Sequence, residues 1–173
     1  MNNVRIGVVG LGSMGNFHVG YLHEIEGAQL TAICDADPAK PGKVAAGLVD
    51  VRARADQRLA HRVADPQAVG KFTTYEQLLN SKLVDAIIIA TPHFQHPEIA
   101  LAAFERNIHV LSEKPLAVHV KDARRVIDAH KQRPDLTFGL VLQLRTVGLY
   151  KKIKEFLWEV IKRCLSVTFQ KAE

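Results

Sequence analysis

Short apolar runs alternate with longer segments of helical periodicity along this chain, a pattern typical of βαβ units and a parallel sheet. The first two runs are Val4–Val9 and Ala28–Cys34. Residues 86–90 are apolar without alternation, which is typical of a central strand that is covered on both faces. Three further runs complete the set of six predicted strands, and these are residues 71–73, 109–111 and 137–142.

Segments with an apolar stripe at helical spacing fill the intervals between these strands. The longest stripe predicts a helix over residues 43–63, and a last amphipathic helix is predicted over residues 150–165. The predicted fold class is therefore α/β, a doubly wound parallel sheet in three α/β/α layers with a C-terminal amphipathic helix. The other predicted helices are residues 75–79, His96–Glu105 and Val120–Lys131.

Composition and charge narrow the class of protein. At 173 residues, with 47% hydrophobic and 24% charged, the chain suffices for one full domain with a sizeable core. No stretch resembles a signal peptide or a membrane span, and Cys34 and Cys164 have no metal-site spacing, so we expect a cytoplasmic protein without a membrane partner. The net charge of +5 arises mostly near the C-terminus and forms no one-faced basic cluster, so no nucleic-acid partner is expected.

The strongest local signal is a glycine-rich turn that directly follows the first strand and opens a helix. Its G-x-G-x-x-G pattern contains Gly10, Gly12 and Gly15, with Ser13 and Met14 between the last two glycines. Gly10 permits the tight turn, Gly12 has no side chain to block a pyrophosphate, and Gly15 lets the helix approach the sheet. Such a turn also occurs in proteins that bind no nucleotide. Here the order of strand, turn, helix, strand and acid predicts nucleotide binding.

The acid in that order is Asp35, which ends the second strand 25 positions after Gly10. This spacing is close to that of the acid which binds the adenosine ribose in dinucleotide-binding proteins. An acid here repels the additional phosphate of NADP, so NAD is the predicted cofactor and NADP is less favoured. Lys40 and Lys43 lie nearby and weaken this preference. The alternative for Asp35 is a capping role, which suits Asp37 better.

Two further groups follow predicted strands at the carboxyl edge, where ligands bind in an open parallel sheet. Thr91, Pro92 and His96 follow the fourth strand, and Glu113 and Lys114 follow the fifth. The alternative for the charged pair is a surface ion pair before a turn. His93 and His96, which follow the fourth strand, could also bind a metal ion. A role in lining the cofactor crevice is favoured instead, and no metal site is predicted.

Together these motifs make the chain resemble the N-terminal half of the Gfo/Idh/MocA oxidoreductases, over about residues 4–150. The motifs are G-x-G-x-x-G-x-x-H from Gly10 to His18, the acid Asp35, A-T-P-x-x-x-H ending at His96, and E-K-P-L-A beginning at Glu113. Four motifs in the right order are far more specific than any one of them.

The resemblance implies a Rossmann domain that binds NAD and exchanges a hydride with a sugar, a polyol or a related hydroxy compound. It also implies a role for each candidate residue. The residues that would bind the pyrophosphate are Gly10, Gly12, Ser13, Met14 and Gly15, and Asp35 would bind the adenosine ribose. Thr91, Pro92 and His96 would contact the phosphate and nicotinamide-ribose region, and Glu113 would position the nicotinamide ribose. Lys114 would be the catalytic residue that acts on the substrate hydroxyl.

The resemblance ends near residue 157, where the family continues into a second domain that supplies a catalytic histidine. We therefore expect a dinucleotide-binding domain over residues 1–145 and a truncated start of the second domain, mainly one helix, over residues 146–173. Weak NAD binding and little catalysis are expected of the chain alone, with a sugar-like substrate only if a second domain is supplied. The alternative is a non-catalytic NAD-binding sensor or interaction module, and a weaker one is a nucleic-acid or membrane-surface binder through residues 151–163.

Overall fold

The computed structural model describes residues 3–46, 67–142, 148 and 151–158. Within these ranges the strands and helices alternate from β1 to β6. The strands are β1 (Val4–Val9), β2 (Ala28–Cys34), β3 (Gly70–Phe72), β4 (Ala86–Ile89), β5 (His109–Ser112) and β6 (Phe138–Leu140). The helices are α1 (Ser13–Tyr21), α2 (Ala39–Ala45), α3 (Tyr75–Asn80), α4 (His96–Glu105) and α5 (Val120–Lys131), with short 3₁₀ turns at Leu22–Glu24 and His93–Gln95.

All six strands are parallel and lie in the order β3-β2-β1-β4-β5-β6. β1 is central, and its Val8 lies opposite Ile33 of β2 on one side and Ile88 of β4 on the other. The strand order reverses between β1 and β4, and ligands of such sheets bind beyond the carboxyl ends of the strands at this reversal. The predicted α/β class with a doubly wound parallel sheet is confirmed.

Both faces of the sheet carry apolar side chains, because successive residues of a strand point to opposite sides. Helices cover both faces. On one face, Val8, Ile33 and Ile88 share a buried cluster with Val19 of α1 and Val44 of α2. On the other face, Val9, Ile87 and Ile89 share a buried cluster with Leu78 of α3, Ile99 of α4 and Val126 of α5. The unbroken apolar run of β4 is therefore explained by burial from both sides.

Most predicted elements are found with their bounds unchanged or shifted by a residue or two. The last strand is shorter than predicted: among the described residues it is at the edge of the sheet and has three register partners in β5. The structure has α2 at Ala39–Ala45, and the predicted helix over residues 43–63 continues into residues outside the described ranges. Of the predicted helix over residues 150–165, residues 151–158 are described and are helical.

The chain divides into two compact units, Met1–Val141 and Leu142–Glu173. The first contains the complete sheet and α1 to α5. In the second, the helical residues 151–158 are the longest described stretch. None of the described helices combines the length and the hydropathy that a bilayer span requires.

The turn between β1 and α1 places backbone against backbone. Gly10 has a φ of +93°, and a Cβ atom added there would lie 2.6 Å from the carbonyl carbon and oxygen of Ala90 at the end of β4. A Cβ atom added to Gly15 would overlap the carbonyl oxygen of Gly10. Helix α1 can therefore start directly at the tip of the central strand only because both positions lack a side chain.

We expect Gly15→Ala to lower the free energy of unfolding by about 2–4 kcal/mol, because the added methyl group meets rigid backbone. Gly42→Ala is the matched control, since a Cβ atom at Gly42 meets no atom within 4 Å and the residue lies inside α2. That substitution should be neutral or should stabilise the protein by up to about 1 kcal/mol. Urea titration followed by circular dichroism measures both, and equal losses in the two variants would contradict this account of the turn.

Candidate functional site

A cavity of about 710 Å³ lies at the carboxyl edge of the sheet, next to the reversal of strand order. Its lining residues belong to the carboxyl ends of β1 to β4 or to the loops and first helical turns that follow them. The predicted residues that line it are Gly10, Gly12, Ser13, Met14, Asp35, Thr91 and Pro92. The structure therefore brings the glycine turn, the acid of β2 and the end of β4 around one space.

The glycine turn leaves its open side towards this cavity. Gly12 precedes α1, and a Cβ atom added to it would meet no atom within 4 Å. No side chain caps the N-terminus of α1, and its first turn carries no acid. The N–H groups of a first helical turn have no partner within the helix, and the helix dipole adds partial positive charge there. The arrangement thus suits an anion that approaches along the backbone.

The carboxylate of Asp35 joins the end of β2 to the glycine turn. Its Oδ2 atom accepts a hydrogen bond of 2.7 Å from the N–H of Leu11, and its Oδ1 atom accepts one of 2.9 Å from the N–H of Asp37. The ammonium group of Lys40 lies 3.2 Å from each carboxylate oxygen. Asp35 is therefore a structural anchor of the turn as well as a candidate ligand.

Thr91 contributes an unpaired polar group at the end of β4. Its Oγ1 atom is buried and has no hydrogen-bond partner among the described residues, and the residue lines the cavity. Burying a hydroxyl group without a partner costs free energy. A bound polar group that met this hydroxyl would remove that cost.

His96 connects two loops from inside the protein. It is fully buried, its Nδ1 atom lies 2.8 Å from the carbonyl oxygen of Pro115, and its Nε2 atom lies 2.9 Å from that of Thr91. A neutral imidazole has one N–H and donates to one of these carbonyls at a time. His96 does not line the cavity. Its contacts instead hold the loop after β4 against the loop after β5.

His93 and His96, the two histidines that follow β4, lie close to each other. The His93 and His96 rings lie 5.7 Å apart between centroids, but both ring nitrogens of His96 already face backbone carbonyls. Within the described residues, no three histidine, cysteine or acidic side chains are grouped so that they could hold a metal ion.

Glu113 makes a second buried connection, between α1 and the loop after β5. Its Oε1 atom lies 2.8 Å from Nε2 of His18, and its Oε2 atom accepts a hydrogen bond of 3.2 Å from the N–H of Lys114. Glu113 is only 4% exposed, whereas Lys114 is exposed and is joined to Pro115 by a cis peptide bond. Neither Glu113 nor Lys114 lines the cavity.

Two features of the site were not singled out from the sequence. The first is the segment after β3, where Thr73 and Thr74 of the loop and Tyr75 and Glu76 of the first turn of α3 line the cavity. The rule that loops after parallel strands share one edge could have found it, because this strand was predicted. The second is the contact of His18 with Glu113, which joins residues 95 positions apart. The histidine of the glycine motif was the available signal.

The thiol of Cys34 is buried beside the same cavity, at the end of β2. Burial raises the pKa of Cys34 from 9.0 to about 12, with smaller contributions from the carboxylates of Asp35 and Glu76. The site therefore contains a cysteine that stays protonated and poorly nucleophilic at neutral pH.

Comparison with known proteins identifies the domain. The model of the Gfo/Idh/MocA oxidoreductase family, described as an NAD-binding Rossmann fold, matches residues 4–138. Inositol 2-dehydrogenase 4 of Saccharopolyspora erythraea is 35% identical over 127 residues, which cover 73% of this chain and 32% of that protein. A glycosyl hydrolase family 109 protein of Shewanella woodyi is 31% identical over 129 residues, which cover 74% of this chain and 26% of that protein.

Solved structures agree on the fold. The scyllo-inositol dehydrogenase of Lactobacillus casei, crystallised with NAD(H) and scyllo-inositol, superposes with a TM-score of 0.74 at 22% identity over 91% of this chain and 42% of that one. The WlbA dehydrogenase of Bordetella pertussis, in complex with NADH and UDP-GlcNAcA, gives a TM-score of 0.73 at 25% identity over the same shares. The chain spans about a quarter to a third of the length of the curated relatives it matches.

The raised pKa of Cys34 predicts slow alkylation of the native protein. In a Cys164→Ser background at pH 9, we expect iodoacetamide to modify Cys34 at least about tenfold more slowly in the native than in the urea-unfolded chain. Because the unfolded thiol ionises first, the free energy of unfolding should also fall as pH rises from 9.0 towards about 12. Cys34→Ala should lose this part of the pH dependence. Equal alkylation rates in the two states would contradict the burial of the thiol.

Proposed function

This chain belongs to the Gfo/Idh/MocA oxidoreductase family, and we propose that its cavity holds NAD with the pyrophosphate over the glycine turn. In this proposal the domain serves an oxidoreductase that acts on a sugar, a polyol or a related hydroxy compound. The observation that carries it is the open side of Gly12, at the uncapped start of α1, facing a cavity that extends to Asp35.

The chemistry of the cavity fits a dinucleotide at three points. The backbone at Gly12 is open to a pyrophosphate, the first turn of α1 offers N–H donors, and Thr91 has a hydroxyl group without a partner. The cavity volume of about 710 Å³ lies within the range of small-molecule sites, roughly 300–1,000 Å³. No single point is specific to a dinucleotide. Support for the linked parts comes from the strand order β2-β1-β4, which places Asp35, the glycine turn and Thr91 at neighbouring strand ends.

We assign the adenosine ribose to Asp35 and prefer NAD over NADP. A carboxylate accepts hydrogen bonds from the two ribose hydroxyl groups, whereas it repels the phosphate that NADP carries at the 2′ position. The carboxylate of Asp35 is oriented for this role, because it accepts hydrogen bonds of 2.7 and 2.9 Å from two backbone N–H groups.

We assign the reacting end of the site to Lys114. A bound dinucleotide would supply the hydride acceptor or donor. The exposed ammonium of Lys114 lies on the loop after β5, at the same edge of the sheet, and would stabilise the alkoxide of a substrate as its hydroxyl proton leaves. Glu113 and His96 act as positioning residues, since their buried contacts orient the loop that carries Lys114.

We propose the class of substrate from the relatives. Their names point to inositols and to sugar derivatives. The matched segment is about a quarter to a third of the curated relatives, so we propose that residues beyond it complete the substrate pocket. We further propose that residues 146–173 correspond to the start of a second domain, which would form the substrate pocket. Residues 1–173 by themselves should bind NAD but catalyse little.

Replacing the open glycine tests the pyrophosphate assignment. We expect Gly12→Val to raise the Kd for NADH about thirtyfold or more, because the side chain would occupy the space assigned to phosphate, while the fold is kept. Isothermal titration calorimetry measures the affinity, and circular dichroism confirms folding. Gly42→Val, at an equally open position outside the cavity, should leave the Kd within twofold. An unchanged affinity in a folded Gly12→Val protein would contradict the assignment.

Replacing the acid tests the ribose assignment. We expect Asp35→Ala to weaken NADH binding by about ten- to a hundredfold, because two ribose hydroxyl groups lose a charged acceptor. Asp37→Ala is the matched control, since among the described residues its carboxylate accepts the N–H of Ala39 in α2 and does not line the cavity. The control should bind NADH as the wild-type chain does. Equal heats of binding for Asp35→Ala and wild type would remove Asp35 from the site.

A further inference from the structure

We propose that His18 of α1 is a positioning residue for the nicotinamide half of the dinucleotide, and that it acts through the carboxylate of Glu113. The inference rests on the proposed function and deepens it, because it gives a role to a histidine that does not line the cavity. The observation behind it is the distance of 2.8 Å between Nε2 of His18 and Oε1 of Glu113, two side chains that are both largely buried.

The orientation of the Glu113 side chain depends on this contact. A carboxylate only accepts hydrogen bonds, so Nε2 of His18 carries a hydrogen and donates it to Oε1. The N–H of Lys114 donates to the other oxygen at 3.2 Å, which is longer than the roughly 2.7–2.9 Å of a strong charged hydrogen bond. His18 therefore makes the shorter of these two contacts.

Glu113 is costly to leave without that donor. The residue is only 4% exposed, and a buried carboxylate that loses a hydrogen bond is not compensated by water. Without the imidazole, the side chain either turns away from its present position or takes up a proton. Both changes alter the acceptor that the carboxylate offers to a ligand.

The carboxylate keeps acceptor positions for such a ligand. It offers about four lone-pair positions, two on each oxygen. His18 and the N–H of Lys114 each donate to one oxygen, which leaves a further position on both. Ribose hydroxyl groups can donate to these positions while the carboxylate is ionised and held in place. His18 maintains both conditions.

Glu113 lies next to the wall that β4 contributes to the cavity. Its N–H donates a hydrogen bond of 2.9 Å to the carbonyl oxygen of Ile89, and the next two residues of that segment, Ala90 and Thr91, line the cavity. β5 is three strands away from β2 in the sheet, which corresponds to about 14 Å. A dinucleotide with one ribose at Asp35 and its phosphates over β1 thus extends its second ribose towards Glu113.

Helix α1 links the two ends of this path. Ser13 begins the helix at the position assigned to the pyrophosphate, and His18 follows five residues later, about 7.5 Å along the axis. The same helix therefore offers backbone N–H donors to the phosphates and an imidazole donor to Glu113. Through His18, the helix that binds the phosphates also fixes the acceptor for the second ribose.

The test compares three ligands by calorimetry on the full chain: ADP, which ends at the phosphates, ADP-ribose, which adds the second ribose, and NADH. We expect His18→Phe, which keeps a ring but has no donor, to raise the Kd for NADH and for ADP-ribose about tenfold. The Kd for ADP should stay within twofold of wild type. His18→Gln, whose amide can donate to the carboxylate, should restore most of the affinity for NADH.

Two further variants show that the effect passes through Glu113. In a Glu113→Ala background, His18→Phe should change the Kd for NADH by less than twofold, because the acceptor that it positions is gone. His23→Phe is the matched control, since His23 is exposed in the short turn after α1 and does not line the cavity. Circular dichroism checks the fold of each variant, and His18→Leu replaces His18→Phe if the latter does not fold.

The possible results separate this inference from the proposed function. If the wild-type chain binds NADH but folded His18→Phe binds NADH and ADP-ribose as the wild type does, the role of His18 is wrong and the NAD site stands. An equal loss of ADP binding also overturns it, because His18 then only supports α1. The same holds if His18→Gln is impaired as much as His18→Phe. If the folded wild-type chain binds none of the three ligands, the proposed function fails, and the inference fails with it.

Discussion

The contact between bare backbone at Gly10 and Gly15 is the constraint on which the site depends. Because a side chain at either position would meet backbone atoms, α1 starts at the tip of the central strand and its first N–H groups face the carboxyl edge. The neighbouring strands then surround this point, with β2 on one side and β4 on the other. The suitability of the cavity for an anion follows from this close approach, since the described residues of the glycine turn that line the cavity include no basic side chain.

A second layer of buried polar contacts holds the loops that surround the turn. Asp35 connects β2 to the turn, Glu113 connects α1 to the loop after β5, and His96 connects the loops after β4 and β5. Each of these residues joins segments that are separated in the sequence. Both carboxylate oxygens of Asp35 and of Glu113, and both ring nitrogens of His96, have a hydrogen-bond partner. The same side chains that a motif would assign to ligand binding therefore also order the backbone around the ligand.

Local patterns account for how much of the fold could be predicted. The strands are short apolar runs and the helices carry stripes, so β1, β2, α4 and α5 have the predicted bounds. The glycine turn, Asp35, Thr91 and Pro92 could likewise be placed at one edge, because parallel strands end there together. The loop after β3 ends at the same edge and could have been placed there by the same rule. The pairing of His18 with Glu113 could not be derived in this way, since a contact across 95 positions leaves no local pattern.

The amino-acid sequence by itself determined the strand and helix order, the glycine turn and the acid at the end of β2, because these follow from hydrophobic period and from the conformational freedom of glycine. Only the tertiary structure decided which polar groups meet: that Lys40 covers Asp35, that His96 is buried between two carbonyls, and that Glu113 is held by His18. The physical reason is that hydrogen bonds and ion pairs depend on distances of a few ångströms between side chains. Such distances are set by how the helices pack on the sheet, and no spacing along the chain contains them.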